Sequence, residues 1–273
     1  MVVKIAVGPS APPIIPKDAA SFGVNPIKIA TKSTVKIPNW AAAPKMDRRR
    51  LRSIGPKSVN APTPMKIIGG KKPVVAIYST FMQRAVDQMV INNALPDLDV
   101  VFCLDRAGLV GDDGPTHHGV FDIAYTRMIP NMKVMAPSDE AELVHMLHTA
   151  LSLRGPVTLR YPRGEARGVE LPETPQVLEV GKSRTTREGN DVAILAFGRM
   201  VQEAEGASDI LAAEGIGVRV VDMRWIKPFD EEAVRAAAEQ CSLVVTAEEG
   251  VVEGGIGEGI LEALAATPPA KVP

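Results

Sequence analysis

The loop that follows the apolar run 100–104 is dense in residues that can do chemistry. Its sequence is Asp105-Arg-Ala-Gly-Leu-Val-Gly-Asp-Asp-Gly-Pro-Thr-His-His-Gly119. Glycines let a backbone approach a ligand closely, and charged side chains on a loop that leaves a strand more often serve a site than a core. The loop therefore predicts a ligand site at the end of a strand.

Two further segments carry residues of the same kind. Tyr78-Ser-Thr-Phe-Met-Gln-Arg84 precedes the loop, and Arg160-Tyr-Pro-Arg-Gly164 follows it. In order and spacing the three segments resemble the 1-deoxy-D-xylulose-5-phosphate synthase family of transketolase-like, thiamine-diphosphate-dependent enzymes. The resemblance covers about residues 69 to 268.

That resemblance implies a carbon–carbon bond-forming transfer. Pyruvate would condense with glyceraldehyde 3-phosphate with loss of CO2, giving a precursor of isoprenoids and thiamine. The cofactors implied are thiamine diphosphate and Mg²⁺, and the full-length family implies a homodimer. In such enzymes the cofactor supplies the electron sink, while the protein supplies orientation and electrostatics.

The aromatic residues of the first segment have roles in this comparison. Phe81 would stack on the aminopyrimidine ring of thiamine diphosphate, which suits flat aromatic geometry. Tyr78 would place a hydroxyl in the substrate pocket. Taken alone, a phenylalanine at this position is more often a core residue, and the tyrosine a half-buried strand residue.

The charged residues have implied roles as well. Arg106 and Arg163, on separate loops, resemble a clamp for the phosphate of the aldehyde substrate, since guanidinium groups bind phosphate oxygens in a planar, bidentate way. His117 would hydrogen-bond and transfer protons near the reacting carbonyls, assisted by Asp113. Each arginine alone is more often a surface charge.

Other readings of the histidines and glycines are weaker. Adjacent loop histidines such as His117 and His118 rarely bind one ion, so we predict no metal site within this chain. Glu142-x-x-His145 resembles half of a di-iron pair without its second copy, which favours His145 and His148 as ordinary helix-surface residues. The run 254–259 fails the spacing of a dinucleotide fingerprint.

From residue 69 the chain alternates strand and helix, which predicts an α/β fold with two parallel-sheet, three-layer domains. We predict a pyrimidine-binding domain over 69–168, a linker over 169–190 and an incomplete transketolase C-terminal domain over 191–273. Strands are expected at 74–79, a run typical of a buried strand, and at 99–104, 133–136, 157–160, 191–197, 218–222 and 242–247. Helices are expected at 81–95, at 201–214, at 230–240 and after an N-cap at Ser138, where Leu143, Met146, Leu147, Ala150 and Leu151 share one apolar face.

The first 68 residues differ in sequence type. Fourteen of the 31 Lys and Arg residues, but only two of the 32 Asp and Glu residues, fall within 1–72. Prolines interrupt every candidate element there, so we predict an irregular segment. The family's Gly-Ile-Ala-Glu-Gln-His segment would place its glutamate at Pro56. We interpret 1–68 as out-of-frame or otherwise non-native coding sequence, the alternative being a disordered extension.

Two parts of the family pattern are missing from this sequence: the Gly-Asp-Gly…Asn motif that holds Mg²⁺ and diphosphate, and the glutamate that acts on the pyrimidine ring. Three hypotheses follow. The chain is a fragment of the synthase that is inactive alone, or a beta-like subunit that pairs with a separate diphosphate-binding chain, or a non-catalytic binding protein that uses its basic arm.

Composition sets wider limits. No apolar run approaches the ~20 residues of a membrane span, and the N-terminus carries no contiguous apolar signal segment. Two cysteines are too few for a disulfide framework, which favours a cytoplasmic location. The cluster Arg48-Arg-Arg-Leu-Arg52 lacks aromatic neighbours, so we read it as a solvated basic run and expect no nucleic-acid partner.

Overall fold

The computed structural model describes residues 2–7, by their backbone, and residues 71–266, all within one compact unit of the chain. The strands are β1 Val2–Val7, β2 Val74–Tyr78, β3 Val101–Asp105, β4 Lys133–Met135, β5 Val157–Arg160, β6 Arg184–Arg187, β7 Val192–Ala196, β8 Val218–Asp222, β9 Trp225–Lys227 and β10 Leu243–Glu248. The helices are α1 Ser79–Met82, α2 Val86–Met89, α3 Asp122–Met128, α4 Glu140–Ser152, α5 Met200–Ala213, α6 Glu231–Gln240 and α7 Ile256–Ala266.

The strands of the first sheet lie in the order β2-β3-β5-β4-β9, and the first four run parallel. Strand β3 is buried along most of its length, as its apolar sequence predicts. Because β2, β3 and β5 are neighbours and parallel, the loops at their carboxyl ends leave from one edge of the sheet. This edge carries the residues singled out in the sequence.

The second sheet has the order β1-β10-β7-β8-β6, with β10, β7 and β8 parallel. Its two edge strands are antiparallel to their neighbours. The α/β class is confirmed, while each sheet is mostly parallel rather than wholly so. The prediction that residues 1–68 are irregular is wrong for Val2–Val7, a strand with four β-branched residues that pairs with β10. Residues 8–68 lie outside the described residues.

Strand β9 was not predicted from the sequence. The chain leaves β8 of the second sheet and at once adds β9 to the first sheet, antiparallel to β4. Trp225 is fully buried there, in the same core cluster as Val101 and Met146. A three-residue strand is too short to give a periodic signal, and its partner lies about ninety positions earlier in the chain. Residues 218–227 therefore contribute one strand to each of the two sheets.

Two elements of the first sheet differ from expectation. Strand β2, predicted as buried, lies at the edge of the sheet among the described strands, and Val74 is 49% exposed. The predicted single helix over 81–95 is a series of short turns: α1, a 3₁₀ turn, α2 and a π-helical turn. The apolar period was read correctly as helical, yet short apolar runs do not fix the type of helix.

Helix α4 covers the first sheet. Its N-cap is Asp139, whose side chain accepts from the Glu142 amide at 2.8 Å, rather than the predicted Ser138. Ser138 instead hydrogen-bonds to a distant side chain of the second sheet, described below. Met146 and Ala150 pack into the core as predicted, whereas Leu151 is 44% exposed. The N-cap of the helix was thus predicted one residue before its observed position.

The segment between β5 and β6 lies along α4. Glu140 accepts hydrogen bonds from the amides of residues 167–169 at 3.1, 2.6 and 2.9 Å. His145 Nδ1 accepts from the Gln176 amide at 2.9 Å, so it fixes this segment and is not the ordinary surface residue we expected. The predicted linker also contains a strand, β6, which pairs with β8.

A buried group of charged side chains joins the layers of the two sheets. Asp222, at the end of β8, accepts from Ser138 Oγ at 2.9 Å and from Arg184 Nε at 3.1 Å. Glu142 of α4 accepts from Arg224 at 2.9 and 2.8 Å and lies 3.1 Å from Arg184 Nη1. Both carboxylates are almost fully buried, and buried charges persist in proteins when they are paired in this way.

Burial raises the pKa of Asp222 to about 6, against the opposing effect of Arg184 and with a smaller contribution from Glu142. A carboxyl group in an unfolded chain has a pKa of about 3.9. The folded state therefore holds the proton more tightly. The stability that this group contributes is fully present below about pH 4 and is lost as the pH rises to about 6.

We expect Asp222→Asn to remove this dependence. Between about pH 4 and pH 6.5, the parent chain should lose on the order of 1–3 kcal/mol of unfolding free energy relative to the variant. Urea unfolding followed by circular dichroism at several pH values measures it. Asp209→Asn, which removes a carboxylate that is 71% exposed, is the control. A difference that grew with pH would mean that the arginines outweigh burial.

Candidate functional site

The predicted site residues meet at the carboxyl edge of the first sheet. Tyr78 ends β2, and its register partner on β3 is Asp105, directly before Arg106. Leu104 pairs with Arg160 on β5, so the loop that carries Arg163 leaves the same edge. Parallel pairing alone therefore brings three separate segments together.

An aromatic cluster forms one part of the site. The rings of Tyr78 and Phe81 are stacked, with centroids 5.0 Å apart and planes 17° apart. The His117 ring meets them edge-on, at 6.3 Å from Tyr78 and 5.7 Å from Phe81. Phe81 remains 43% exposed, although an aromatic side chain at this position is usually buried. The exposed ring offers a flat apolar surface beside an imidazole.

A charged cluster lies against these rings. The Arg106 guanidinium sits 3.8 Å above the centre of the Tyr78 ring and donates from Nε to Asp113 Oδ2 at 3.0 Å. Arg163 Nη1 lies 3.1 Å from the other oxygen of Asp113. A second carboxylate, Asp105, accepts from Arg106 Nη1 at 2.8 Å. Two guanidinium groups from separate loops thus share one carboxylate.

Burial raises the pKa of Asp105, while the adjacent Arg106 acts in the opposite direction. One oxygen of Asp105 is buried without a hydrogen-bond partner among the described residues. An unsatisfied buried acceptor destabilises the fold, so a further hydrogen-bond donor at this position, such as one from a ligand, would bind favourably.

The loop that carries Arg106 is closed at its neck. Gly108 and Gly119 exchange two backbone hydrogen bonds, of 2.8 and 2.9 Å. Gly108 has φ +87°, where a side chain would be strained, and a Cβ on Gly119 would lie 2.6 Å from Ser79 Oγ. His118 Nδ1 accepts from the Val110 amide at 3.1 Å. The glycines are needed for loop closure, and His118 is a brace of the loop.

Side chains that the sequence analysis did not single out lie beneath the loop. Arg160 is fully buried and donates from Nε to Asp122 Oδ2 at 2.9 Å. Its Nη2 reaches the backbone oxygen of Glu249, which follows β10 of the second sheet, at 3.0 Å. Arg160 stood in the motif that drew attention to Arg163, but nothing in the local pattern around Glu249 pointed to the site.

The described residues fit one half of thiamine diphosphate. Beside the exposed Phe81 ring, Ser79 Oγ and Thr80 Oγ1 are buried and have no hydrogen-bond partner among the described residues. A flat heterocycle with polar edges could stack on the ring and use such groups. Among residues 71–266, no cluster of three or more His, Cys, Asp or Glu side chains could hold a metal ion.

No helix among residues 71–266 has the length and apolar character that a membrane crossing needs.

Comparison with known proteins identifies both parts of the chain. Residues 64–169 match the transketolase pyrimidine-binding domain, and residues 181–272 match the transketolase C-terminal domain. A solved structure described as a split-gene transketolase, in an inactive beta4 tetramer, is 32% identical with a TM-score of 0.68. The alignment covers 82% of this chain and 70% of that one.

Curated relatives of this chain include 1-deoxy-D-xylulose-5-phosphate synthases. That of Thermomicrobium roseum is 45% identical over 94% of this chain and 43% of its own length. That of Magnetococcus marinus is 54% identical over 71% of this chain and 31% of its own length. The Thermomicrobium alignment exceeds what residues 69–273 alone can supply, so it extends into the first 68 residues.

The chain spans less than half the length of these curated relatives. Two matched domains, their order and the solved transketolase chain agree with the observed pair of mostly parallel sheets. The chain belongs to the thiamine-diphosphate-dependent transketolase family and, within it, is similar to the 1-deoxy-D-xylulose-5-phosphate synthases.

Proposed function

We propose that this chain supplies the pyrimidine-binding and C-terminal parts of an enzyme that joins pyruvate to glyceraldehyde 3-phosphate with loss of CO2. The product would be 1-deoxy-D-xylulose 5-phosphate, a precursor for isoprenoids and thiamine. The observation that carries this proposal is the convergence of Arg106 and Arg163 on Asp113, next to the rings of Tyr78 and Phe81.

Two guanidinium groups from different loops suit a phosphate ester. Each is planar, stays charged at any working pH and can donate two parallel hydrogen bonds to phosphate oxygens. The two oxygens of Asp113 each bind one of these guanidinium groups. The two groups therefore lie close enough together to bind another compact anion, such as a phosphate. We assign Arg106 and Arg163 to the phosphate of glyceraldehyde 3-phosphate.

The remaining residues would act around the reacting carbonyls. Phe81 would bind the pyrimidine ring of thiamine diphosphate by stacking, and Tyr78 would direct its hydroxyl to the substrate. His117, whose Nδ1 lies 3.0 Å from Thr116 Oγ1, would exchange protons with the substrate oxygens, with Asp113 nearby. When bound, the cofactor would supply the electron sink for decarboxylation. Residues outside this chain would hold its diphosphate and Mg²⁺.

A second candidate is that the chain is the beta-like subunit of a two-chain enzyme. The solved split-gene transketolase favours it, because this chain aligns with 70% of a chain from the inactive beta4 tetramer of that enzyme. In this case a different chain would bring the diphosphate-binding domain. Translation of the neighbouring genomic DNA in all frames distinguishes the candidates, and it also tests whether residues 1–68 are out of frame.

The wider setting is proposed on the same basis. The family resemblance supports a homodimer in the assembled enzyme and a cytoplasmic location. The proposed partners are small-molecule substrates, with no role for nucleic acid or a membrane.

The phosphate clamp leads to a binding prediction. Glycerol 3-phosphate, titrated into the 273-residue chain by calorimetry, should bind about tenfold more weakly after Arg163→Ala, since hydrogen bonds to charged groups contribute ~1.5–3 kcal/mol. Arg167→Ala removes an arginine of nearly equal exposure, 42% against 44%, and should leave the affinity unchanged. Equal losses in both variants would indicate only a general effect of positive charge.

The activity prediction concerns the chain alone. Assayed with thiamine diphosphate, Mg²⁺, pyruvate and glyceraldehyde 3-phosphate, it should show no detectable turnover. Ring stacking contributes only ~1 kcal/mol beyond area burial, and the missing glutamate would cost ~10²–10⁴-fold in rate. Adding the N-terminal part of the Thermomicrobium roseum relative should restore turnover, and Arg163→Ala should lower the restored rate about tenfold at subsaturating glyceraldehyde 3-phosphate. Turnover by the lone chain would contradict the assignment.

A further inference from the structure

Two neighbouring glutamates at the end of β10 have different partners. The Glu248 carboxylate accepts from the amides of Ile256 and Gly257, each at 3.0 Å, and so caps helix α7. Glu249 is also buried, at 7% exposure, but points away from that helix and lies beneath the loop 105–119 of the first sheet. Its role is therefore not explained by the fold of the second sheet.

The contact between Glu249 and the loop is close. A Cβ on Gly108 would lie 2.6 Å from the carboxyl carbon of Glu249, so the loop backbone rests directly on the carboxylate. The backbone N–H of Leu109 faces the same carboxylate and lowers its pKa, against the larger effect of burial. Gly108, which belongs to the neck of the loop, and Leu109 lie two and three residues after Arg106. A glycine at this point is what allows so close an approach.

Two arginines surround Glu249. Arg160 donates to its backbone oxygen, and Arg199 Nε lies 3.9 Å from its Oε1. Burial raises the pKa of the Glu249 carboxyl, while Arg160, Arg199 and the Leu109 amide favour the charged form. Arg160 is in turn held by Asp122 at 2.9 Å. The first sheet thus holds the backbone of Glu249 through Arg160, and Arg199, which follows β7 of the second sheet, lies beside its carboxylate.

We propose that Glu249 is a positioning residue for the loop 105–119. Through the Leu109 amide and the neck at Gly108, the second sheet would set the place of Arg106, and with it Asp113 and the phosphate clamp. This inference rests on the proposed function for its consequence in ligand binding. The contact with the loop itself does not depend on that function.

The test separates hydrogen bonding from space filling. Glu249→Met keeps the length of the side chain and removes both oxygens, whereas Glu249→Gln keeps one acceptor for the Leu109 amide. Hydrogen exchange of the full 273-residue chain, followed by mass spectrometry, measures protection of residues 106–119. Glu253→Met changes an exposed glutamate of the same segment and is the matched control.

We expect exchange in the loop to be about tenfold faster in Glu249→Met and close to the parent in Glu249→Gln and Glu253→Met. Exchange of α6 should not change, since none of the contacts of Glu249 described above involves that helix. Glycerol 3-phosphate should bind several-fold more weakly to Glu249→Met. Should Glu249→Met fail to fold, Glu249→Asp, which withdraws the carboxylate by one methylene, replaces it in the comparison.

Unchanged loop exchange in Glu249→Met would overturn the proposal. So would faster exchange throughout the chain, or the same result for Glu249→Met and Glu249→Gln, because either would indicate packing rather than a polar interaction with the loop backbone. If the loop loosens as expected but the parent chain binds no glycerol 3-phosphate, the positioning role stands and the proposed function fails.

Discussion

Parallel pairing of β3 with both β2 and β5 is the constraint on which the candidate site depends. It fixes the register of Tyr78 against Asp105 and of Leu104 against Arg160. The residues that follow each strand must then emerge at one edge, whatever their distance in sequence. The aromatic pair, the two guanidinium groups and the histidine meet there because three strands end together, and the closed glycine neck limits how far the central loop can move.

Much of this could be predicted from sequence because strand-to-loop exits carry strong local signals. Apolar runs located the parallel strands to within one or two residues, and the charged, glycine-rich loops after them gave Arg106, Asp113 and Arg163. The location of these residues at one edge of the sheet depends only on the order and direction of the strands. The alternation of strands and helices along the sequence indicates both. The structure brings together all six residues that we singled out, while their chemical roles stay predictions.

The features that sequence did not predict depend on contacts between distant segments. Strand β9 is three residues long and has no period to detect. Ser138 is as good an N-cap residue as Asp139, and only its hydrogen bond to Asp222 decides between them. His145 gains a partner from a segment thirty positions away. A local pattern reports what a residue can do, and tertiary contacts decide which of those options is used.

The polar contacts that the sequence missed are concentrated where the two sheets meet. Asp222 and Glu142 pair with arginines on one side of this junction, and Arg160 with Asp122 and Glu249 beneath the site. Apolar packing stabilises such a junction without fixing one orientation, because it is not directional. Hydrogen bonds to buried charges are directional, and a misplaced partner leaves a costly unpaired group. A junction built this way can hold a binding loop to the fraction of an ångström that a two-arginine clamp requires.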